Sequence, residues 1–282
     1  MLKLLLTGST GFVGSNILSE LSKDCMVFIT SRKKKKISKN KNIIEINFRN
    51  YDELNLKLKK VKVEVIIHCA THYVKNHTYG DIKKLAESNI LFGNIILENI
   101  KQMKVKKIIN FSTVWENHNG KKDNFLNLYA AYKKSFSNLI KYYQKKNPEV
   151  NFYNLMISDT FGKLDKRKKI INVMRQNYRD NKITTITSKN LYLNLLNIVD
   201  LISAIKLILK RKVKSGTYLL KNKKNINIHY LIKEFNKKLK KKIKIRWVSD
   251  KIINNKIFSF KKLKYWEPKN SDIVNIINFL KT

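Results

Sequence analysis

Two groups of residues, far apart in the chain, have the types and spacing that chemistry requires. Near the start, Thr7-Gly8-Ser9-Thr10-Gly11-Phe12-Val13-Gly14 follows an apolar run over residues 2–6 and leads into a helical pattern over 13–21. A strand feeding a helix through a glycine turn aims backbone N–H groups and the positive end of the helix dipole at one point, which suits a phosphate. Gly8 makes the turn, Gly11 admits a pyrophosphate against the backbone, and Gly14 lets helix and strand pack closely. Thr10, Phe12 and Val13 complete the same cradle.

The second group is Tyr129-Ala-Ala-Tyr-Lys133, within a helical pattern whose apolar positions are 128, 132, 136, 139 and 140. Residues four apart project from one helix face. A lysine ammonium one turn from a phenol stabilises the phenolate, so the tyrosine can exchange a proton near neutral pH. Upstream, the apolar run 107–111 ends in Ser112-Thr113, two hydroxyls that could polarise a substrate oxygen. Of these, Thr113 is expected to act, with Ser112 second. Glu116 is a single, displaced carboxylate.

With these residues in place, the chain resembles the short-chain dehydrogenase/reductase superfamily, in the extended branch that acts on nucleotide sugars. Beyond Thr7–Gly14 and the Tyr129/Lys133 pair, supporting motifs are Val65-Ile-Ile-His-Cys-Ala70, Asn89-Ile-Leu-Phe-Gly93, Asp159-Thr-Phe-Gly-Lys-Leu-Asp-Lys-Arg167 and Ile198-Val-Asp-Leu201. The resemblance covers roughly residues 1 to 235. It implies an α/β fold, a doubly wound parallel Rossmann sheet with a smaller C-terminal substrate lobe. It further implies cofactor contacts from Cys69, Ala70 and Thr71, and substrate contacts from His72, Asp159, Thr160 and Arg167. The active-site helix is also the surface through which a homodimer could form.

Cofactor choice is read at the end of the second strand, where NAD-preferring sites place a carboxylate on the ribose 2′-OH. Here the segment is Thr30-Ser31-Arg32-Lys33, with no acid. Arg32 and Lys33 suit a 2′-phosphate, and Arg32 could meet it bidentately. NADP(H) is therefore favoured over NAD(H). Asn47 and Phe48, after the third strand, stand on the adenine side, where the family more often has an aspartate.

Sixty basic against twenty acidic residues give a net charge of +40, which would ordinarily point to nucleic acid. The lysines are spread along the whole chain, however, and Asn and Ile are abundant while Gly and Pro are scarce, the bias of an A/T-rich genome. Runs at 33–36 and 240–242 then read as solvated surface. Binding to mixed-sequence RNA or DNA should be weak and should fall steeply with salt, as for any polycation. Nanomolar, sequence-selective binding at physiological salt in a filter assay would contradict that reading.

No stretch reaches the roughly 20 apolar residues of a membrane span. The run 4–6 is too short for a secretion signal, and a small-residue cleavage site is missing. Two cysteines, Cys25 and Cys69, both in expected strands, suit a reducing cytoplasm. His68 reads as a core residue of a buried strand. His72, His77 and His118 have no metal-site spacing.

Strands are expected at 2–6, 25–30, 43–47, 63–69, 107–111 and 152–157, and helices notably at 79–101 and 128–145. A helix at 169–179, a short strand pair at 183–187, elements at 199–210 and 216–220, a helix at 228–239 and a strand at 243–248 follow. The division expected is a dinucleotide-binding domain over 1–165 and a mainly substrate-binding lobe over 166–282, with about 191–220 returning to the first. The resemblance points to an NADP(H)-dependent reductase of a 4-keto nucleotide sugar, most like the subgroup with CDP-deoxyhexose 4-ketoreductases. The alternatives are an epimerase that retains its cofactor and, in another class, a non-catalytic dinucleotide sensor or RNA-binding protein. A 4,6-dehydratase is disfavoured, since Val114 and Trp115 stand where its acid pair follows the threonine.

Overall fold

The structure is a computed structural model that describes residues 1–32 and 39–281. Lys33 and the rest of the 33–36 run lie outside the described residues. The chain divides into two compact units, one of residues 1–156 and 212–218, the other of 157–211 and 219–282.

The first unit alternates strand and helix: β1 (Lys3–Thr7), α1 (Phe12–Leu21), β2 (Met26–Ser31), β3 (Ile43–Asn47), α2 (Tyr51–Lys59), β4 (Val65–His68), α3 (Tyr79–Ala86), α4 (Phe92–Glu98), β5 (Lys107–Thr113), α5 (Leu128–Lys146) and β6 (Asn151–Ile157). Leu4, Leu5, Leu6, Val65, Ile66 and Ile67 are buried on both faces, as continuous apolar runs of a covered parallel sheet should be. Pairing is parallel between β1 and β2, β2 and β3, β1 and β4, and β4 and β5. The order along the sheet is β6-β5-β4-β1-β2-β3. The chain therefore winds outward from β1 to β3, returns to β4, and winds the other way. Right-handed crossovers then put helices on opposite faces and open a crevice beyond the C-terminal ends of β1 and β4.

The stretch expected as one helix over 79–101 is interrupted. A π-turn, Glu87–Leu91, separates α3 from α4, and α4 ends at Glu98. The extra residue per turn carries Asn89 inward, where its side chain clamps the loop after β4. Cys25 and Cys69 also fall just outside strands rather than in them, Cys25 before β2 and Cys69 after β4. Asn50, whose side chain accepts from the Glu53 amide, starts α2.

The second unit contains β7 (Asp159–Phe161), α6 (Ile170–Arg179), β8 (Thr184–Ile186), β9 (Leu191–Leu193), β10 (Leu195–Asn197), α7 (Ile198–Lys210), then, after the return segment, β12 (Ile226–Asn227), α8 (Ile228–Lys238), β13 (Ile245–Trp247), β14 (Ile253–Asn254) and α9 (Ile273–Lys281). Between α7 and β12 lies β11 (Gly216–Leu220), whose first residues join β6 in the first unit. Phe161, Met174, Ile186, Leu231, Phe235 and Ile277 form the core of the second unit. Residues 240–242 are exposed, and Lys242 donates to the carbonyls of Asn236 and Leu239 at the end of α8, where a helix end favours cations.

The observed division differs from the one expected at 165 with 191–220 returning. It falls at 156/157, and only 212–218 returns. Two contacts keep 191–210 in the second unit. β10 pairs with β7. The buried Asp200 of α7 accepts hydrogen bonds from the main chain of Lys269 and Asn270 and from the Ser271 hydroxyl.

Candidate active site

The glycine turn is built as a cradle. Gly8 has φ +69°, which L side chains rarely adopt, and a Cβ there would lie 2.5 Å from the Ala70 nitrogen. A Cβ on Gly14 would lie 2.1 Å from the Gly8 carbonyl oxygen, so α1 packs on the turn with no room for a side chain. Gly11 is different: exposed, with a Cβ in ordinary contact at 3.4 Å. It caps α1, whose first turn carries no acid and no side-chain cap. Helix geometry leaves first-turn amides, here those of Val13 and Gly14, without an acceptor inside the helix, and they are fit to hold a phosphate. Thr10 is exposed beside them, whereas the Phe12 side chain is buried.

The adjoining wall is the segment after β4. The Thr7 carbonyl accepts from the Cys69 amide at 3.2 Å, and Thr7 Oγ1 accepts from the Ala70 amide at 3.2 Å. The same hydroxyl meets His68 Nδ1 at 2.9 Å. Burial drives the His68 pKa down to about 3, so this ring is a neutral core group packed on Phe92 and Phe136. From the other side, Asn89 Oδ1 accepts from Thr71 Oγ1 at 2.5 Å and from the His72 amide at 3.1 Å, and Asn89 Nδ2 donates to the His72 carbonyl at 3.0 Å. Residues 69–72 are thus pinned at both ends. His72 Nε2 is buried with no partner among the described residues. His77 is exposed.

The reactive side chains lie on β5 and α5. Tyr129 is half-buried, its ring packed edge-on to Tyr73 at 5.2 Å, and Tyr73 in turn lies 5.7 Å from Trp115. Lys133 is 4% exposed. Its pKa is lowered to about 8 by burial, against the attraction of Glu116, so it remains a cation near neutrality. Thr113 Oγ1 accepts from the Trp115 amide and caps the 3-10 turn that starts at Val114, after which the backbone kinks at residues 117–119. Ser112 Oγ is buried with no partner among the described residues. A buried polar chain fixes α5 to the sheet. Asn110 Nδ2 donates to Asn154 Oδ1, Asn154 Nδ2 to Ser137 Oγ, and Ser137 Oγ to the Lys133 carbonyl, at 2.7, 3.2 and 3.0 Å. Asn110 Oδ1 itself is buried with no partner among the described residues.

The register Ser31↔Asn47 places the end of β2 beside that of β3, and the Phe48 amide donates to the Ser31 carbonyl at 3.0 Å. Arg32 is exposed, and Asn47 Oδ1 has no partner among the described residues. The Phe48 ring is buried and stacks near Tyr51 and Phe92, so it can offer a ligand only its main chain. The last residues of β2, Thr30 and Ser31, carry hydroxyls and no carboxylate.

In the second unit, Arg167 pairs with the buried Asp165 through Nε at 2.7 Å and Nη2 at 2.8 Å, and Nη2 also reaches the Thr160 carbonyl at 2.7 Å and Oγ1 at 3.1 Å. Lys169 meets Asp159 at 3.2 Å. Asp159, Thr160 and Arg167 therefore form one local network around the start of α6. Trp266 is likewise tied down, its Nε1 donating to Ser203 Oγ and the Asp200 carbonyl.

Two residues here carry more than sequence reasoning assigned to them. Asn89 shows in the sequence only as part of a motif. Glu116 looks displaced by its spacing from Thr113, yet the 3-10 turn folds it inward until it is 2% exposed. Burial pushes its pKa up to about 7.

Residues 4–227 match the model of the NAD dependent epimerase/dehydratase family. The chain is 29% identical over 223 residues to CDP-abequose synthase of Salmonella muenchen, covering 77% of this chain and 73% of that one. It is 27% identical over 254 residues to a dTDP-D-glucose 4,6-dehydratase of Dictyostelium discoideum, covering 77% and 57%. Among solved structures, UDP-glucose 4-epimerase of Thermus thermophilus in complex with NAD is similar in fold, with a TM-score of 0.79 at 16% identity over 99% of this chain and 98% of that one. No described helix is long and apolar enough to cross a membrane. The chain belongs to the NAD dependent epimerase/dehydratase family.

Proposed function

We propose that this enzyme is an NADP(H)-dependent oxidoreductase that reduces the 4-keto group of a nucleotide-activated deoxysugar, with a CDP-linked sugar as first choice. One observation carries the reading: a half-buried tyrosine and a buried, cationic lysine lie one turn apart on α5, in the same unit as the glycine cradle. The similarity to CDP-abequose synthase supports the choice of sugar class. The glycine cradle, with its first-turn amides at the head of α1, fits a dinucleotide pyrophosphate. A bound dinucleotide would supply the hydride. The chain supplies the rest. Tyr129 gives its phenolic proton to the sugar C4 oxygen, so that one O–H bond breaks as another forms. Lys133 steadies the phenolate left behind until solvent returns the proton. Thr113 donates a hydrogen bond from its hydroxyl to the same sugar oxygen and orients it, with Ser112 as the second hydroxyl.

The test is to incubate the enzyme with CDP-4-keto-6-deoxyglucose and NADPH. One NADPH oxidised per sugar reduced supports the reading. Sugar isomerisation without net oxidation of NADPH would replace it with a cofactor-retaining epimerase.

Cofactor selectivity is a second expectation. Arg32 follows β2 directly, and the segment 30–33 carries no acid that would repel a 2′-phosphate. A charge-assisted contact is worth about 1.5–3 kcal/mol, or roughly ten- to a hundredfold in affinity. NADPH should bind that much more tightly than NADH, and Arg32→Ala should erase most of the difference while sparing NADH. Fluorescence titration of both cofactors into both proteins decides it; a wild-type preference for NADH would remove Arg32 from the site.

A further inference from the structure

The ring of Tyr73 lies against the proton donor, and the proton transfer above gives it no role. Its centroid is 5.2 Å from that of Tyr129 with the planes at 87°, an edge-to-face pair. It is also 5.7 Å from the Trp115 ring with the planes at 43°. Edge-to-face rings at about 4.5–7 Å attract one another beyond what their burial contributes. Three elements thus meet through side chains: the segment after β4, the turn after β5 and the head of α5. Tyr129 is the second residue of α5. Helix ends fray, so the backbone holds this side chain less firmly than one in mid-helix. Tyr73 is itself held from behind. Asn89 accepts from the amide of its neighbour His72 at 3.1 Å and donates to the His72 carbonyl at 3.0 Å. Trp115 is anchored too: its amide donates to Thr113 Oγ1 at 3.3 Å, and its carbonyl accepts at 3.1 Å from the amide of Leu126, just ahead of α5. At 39% exposed, Tyr73 adds little to a core; its ring contacts run to the reactive tyrosine and to Trp115.

We propose that Tyr73 is a positioning residue whose ring, braced by Trp115 and by the Asn89 clamp on His72, fixes the orientation of the Tyr129 phenol before any substrate arrives. This rests on the reading of Tyr129 as proton donor, but the claim about its ring holds without a substrate. Proton transfer requires the donor within hydrogen-bond reach of the oxygen that receives the proton, and a misplacement of about 1 Å can cost roughly a hundredfold in rate. A fixed ring therefore acts on kcat rather than on the binding of the sugar.

Tyr73→Leu removes the ring and keeps an apolar side chain, whereas Tyr73→Phe keeps the ring. In protein carrying 3-fluorotyrosine, the Tyr129 signal is identified by its loss in Tyr129→Phe. That 19F resonance should move toward the position of the free amino acid in Tyr73→Leu and stay near the wild-type position in Tyr73→Phe. For the sugar, kcat should fall about two- to tenfold in Tyr73→Leu, the worth of an aromatic pair, with KM nearly unchanged, and Tyr73→Phe should restore it. Trp115→Leu, which removes the brace, should shift the same resonance. If Tyr73→Leu does not fold, as judged by circular dichroism, Trp115→Leu alone carries the test. An unmoved Tyr129 resonance in the folded variant overturns the inference. So does a rise in KM with kcat intact, which would make Tyr73 a sugar contact instead. A shifted resonance in an enzyme with no activity on any 4-keto nucleotide sugar upholds the placement of the ring and overturns the proposed function.

Discussion

Tyr129→Phe should lower turnover of the cognate sugar by at least about two orders of magnitude, the usual worth of a positioned acid–base group, while cofactor affinity stays near that of the wild type. The substitution removes one oxygen and leaves the ring. Its edge-on contact with Tyr73 is kept, as is the buried polar chain from Asn110 to the Lys133 carbonyl. The variant should therefore fold and bind dinucleotide as before, and the deficit should appear in kcat. Steady-state kinetics alongside a binding titration separates the two. Near-normal turnover would remove Tyr129 from its assigned role.

Gly14→Ala should be the most damaging small change in the cofactor cradle. Its methyl group would lie 2.1 Å from the Gly8 carbonyl oxygen, 2.8 Å from the Gly8 carbonyl carbon and 3.0 Å from the Ser9 Cα. All three atoms are backbone, so no side chain can swing away. Either α1 lifts from β1 or the turn opens. Overpacking typically costs about 1–3 kcal/mol, and the rigid neighbour puts this case at the upper end. Gly11→Ala is the contrast. Its Cβ meets the turn at an ordinary 3.4 Å, so the cost in stability should be about 1 kcal/mol or less, that of a poorer cap. It nonetheless places a methyl on the exposed side that a pyrophosphate would approach, so dinucleotide affinity should fall. Urea unfolding and cofactor titration of both variants tell them apart. Equal stability losses would mean that Gly14 is not packed as the structure has it.

The parts of the fold that are legible in the sequence are those repeated in a long pattern. The short, largely apolar runs at β1, β3 and β6 read as strands from their length and place between other elements, and the spacing in α5 marks a helix. Features made by single residues in three dimensions are not legible. The π-turn at Glu87–Leu91 has the composition of ordinary helix. Within it Asn89 reaches the Thr71 hydroxyl and His72 main chain, partners remote in sequence. Strands of two or three residues, such as β7, β10 and β14, are too short to show a period, and α9 carries no motif to single it out. In the site, the glycines and the Tyr–Lys pair are legible because their spacing is itself the mechanism. Glu116 is not, because its place depends on how tightly the chain turns after Thr113. The Phe48 ring, expected on the adenine side, is core because Tyr51 and Phe92 offer it a stack.

The return of residues 212–218 to the first unit has a consequence for how the protein is made. There, Tyr153 donates to the Val213 carbonyl at 2.8 Å and the Phe152 amide to Ser215 Oγ at 3.2 Å, and β11 lies next to β6 in the sheet. While the chain is being synthesised, β6 leaves the ribosome with its outer edge bare and stays so until residue 218 has followed. An unpaired edge lined by Phe152, Tyr153 and Leu155 is a template for joining another nascent chain. The interval between these two emergences is when a chaperone matters most, and a stop codon or protease cut within it should yield aggregate rather than a working half.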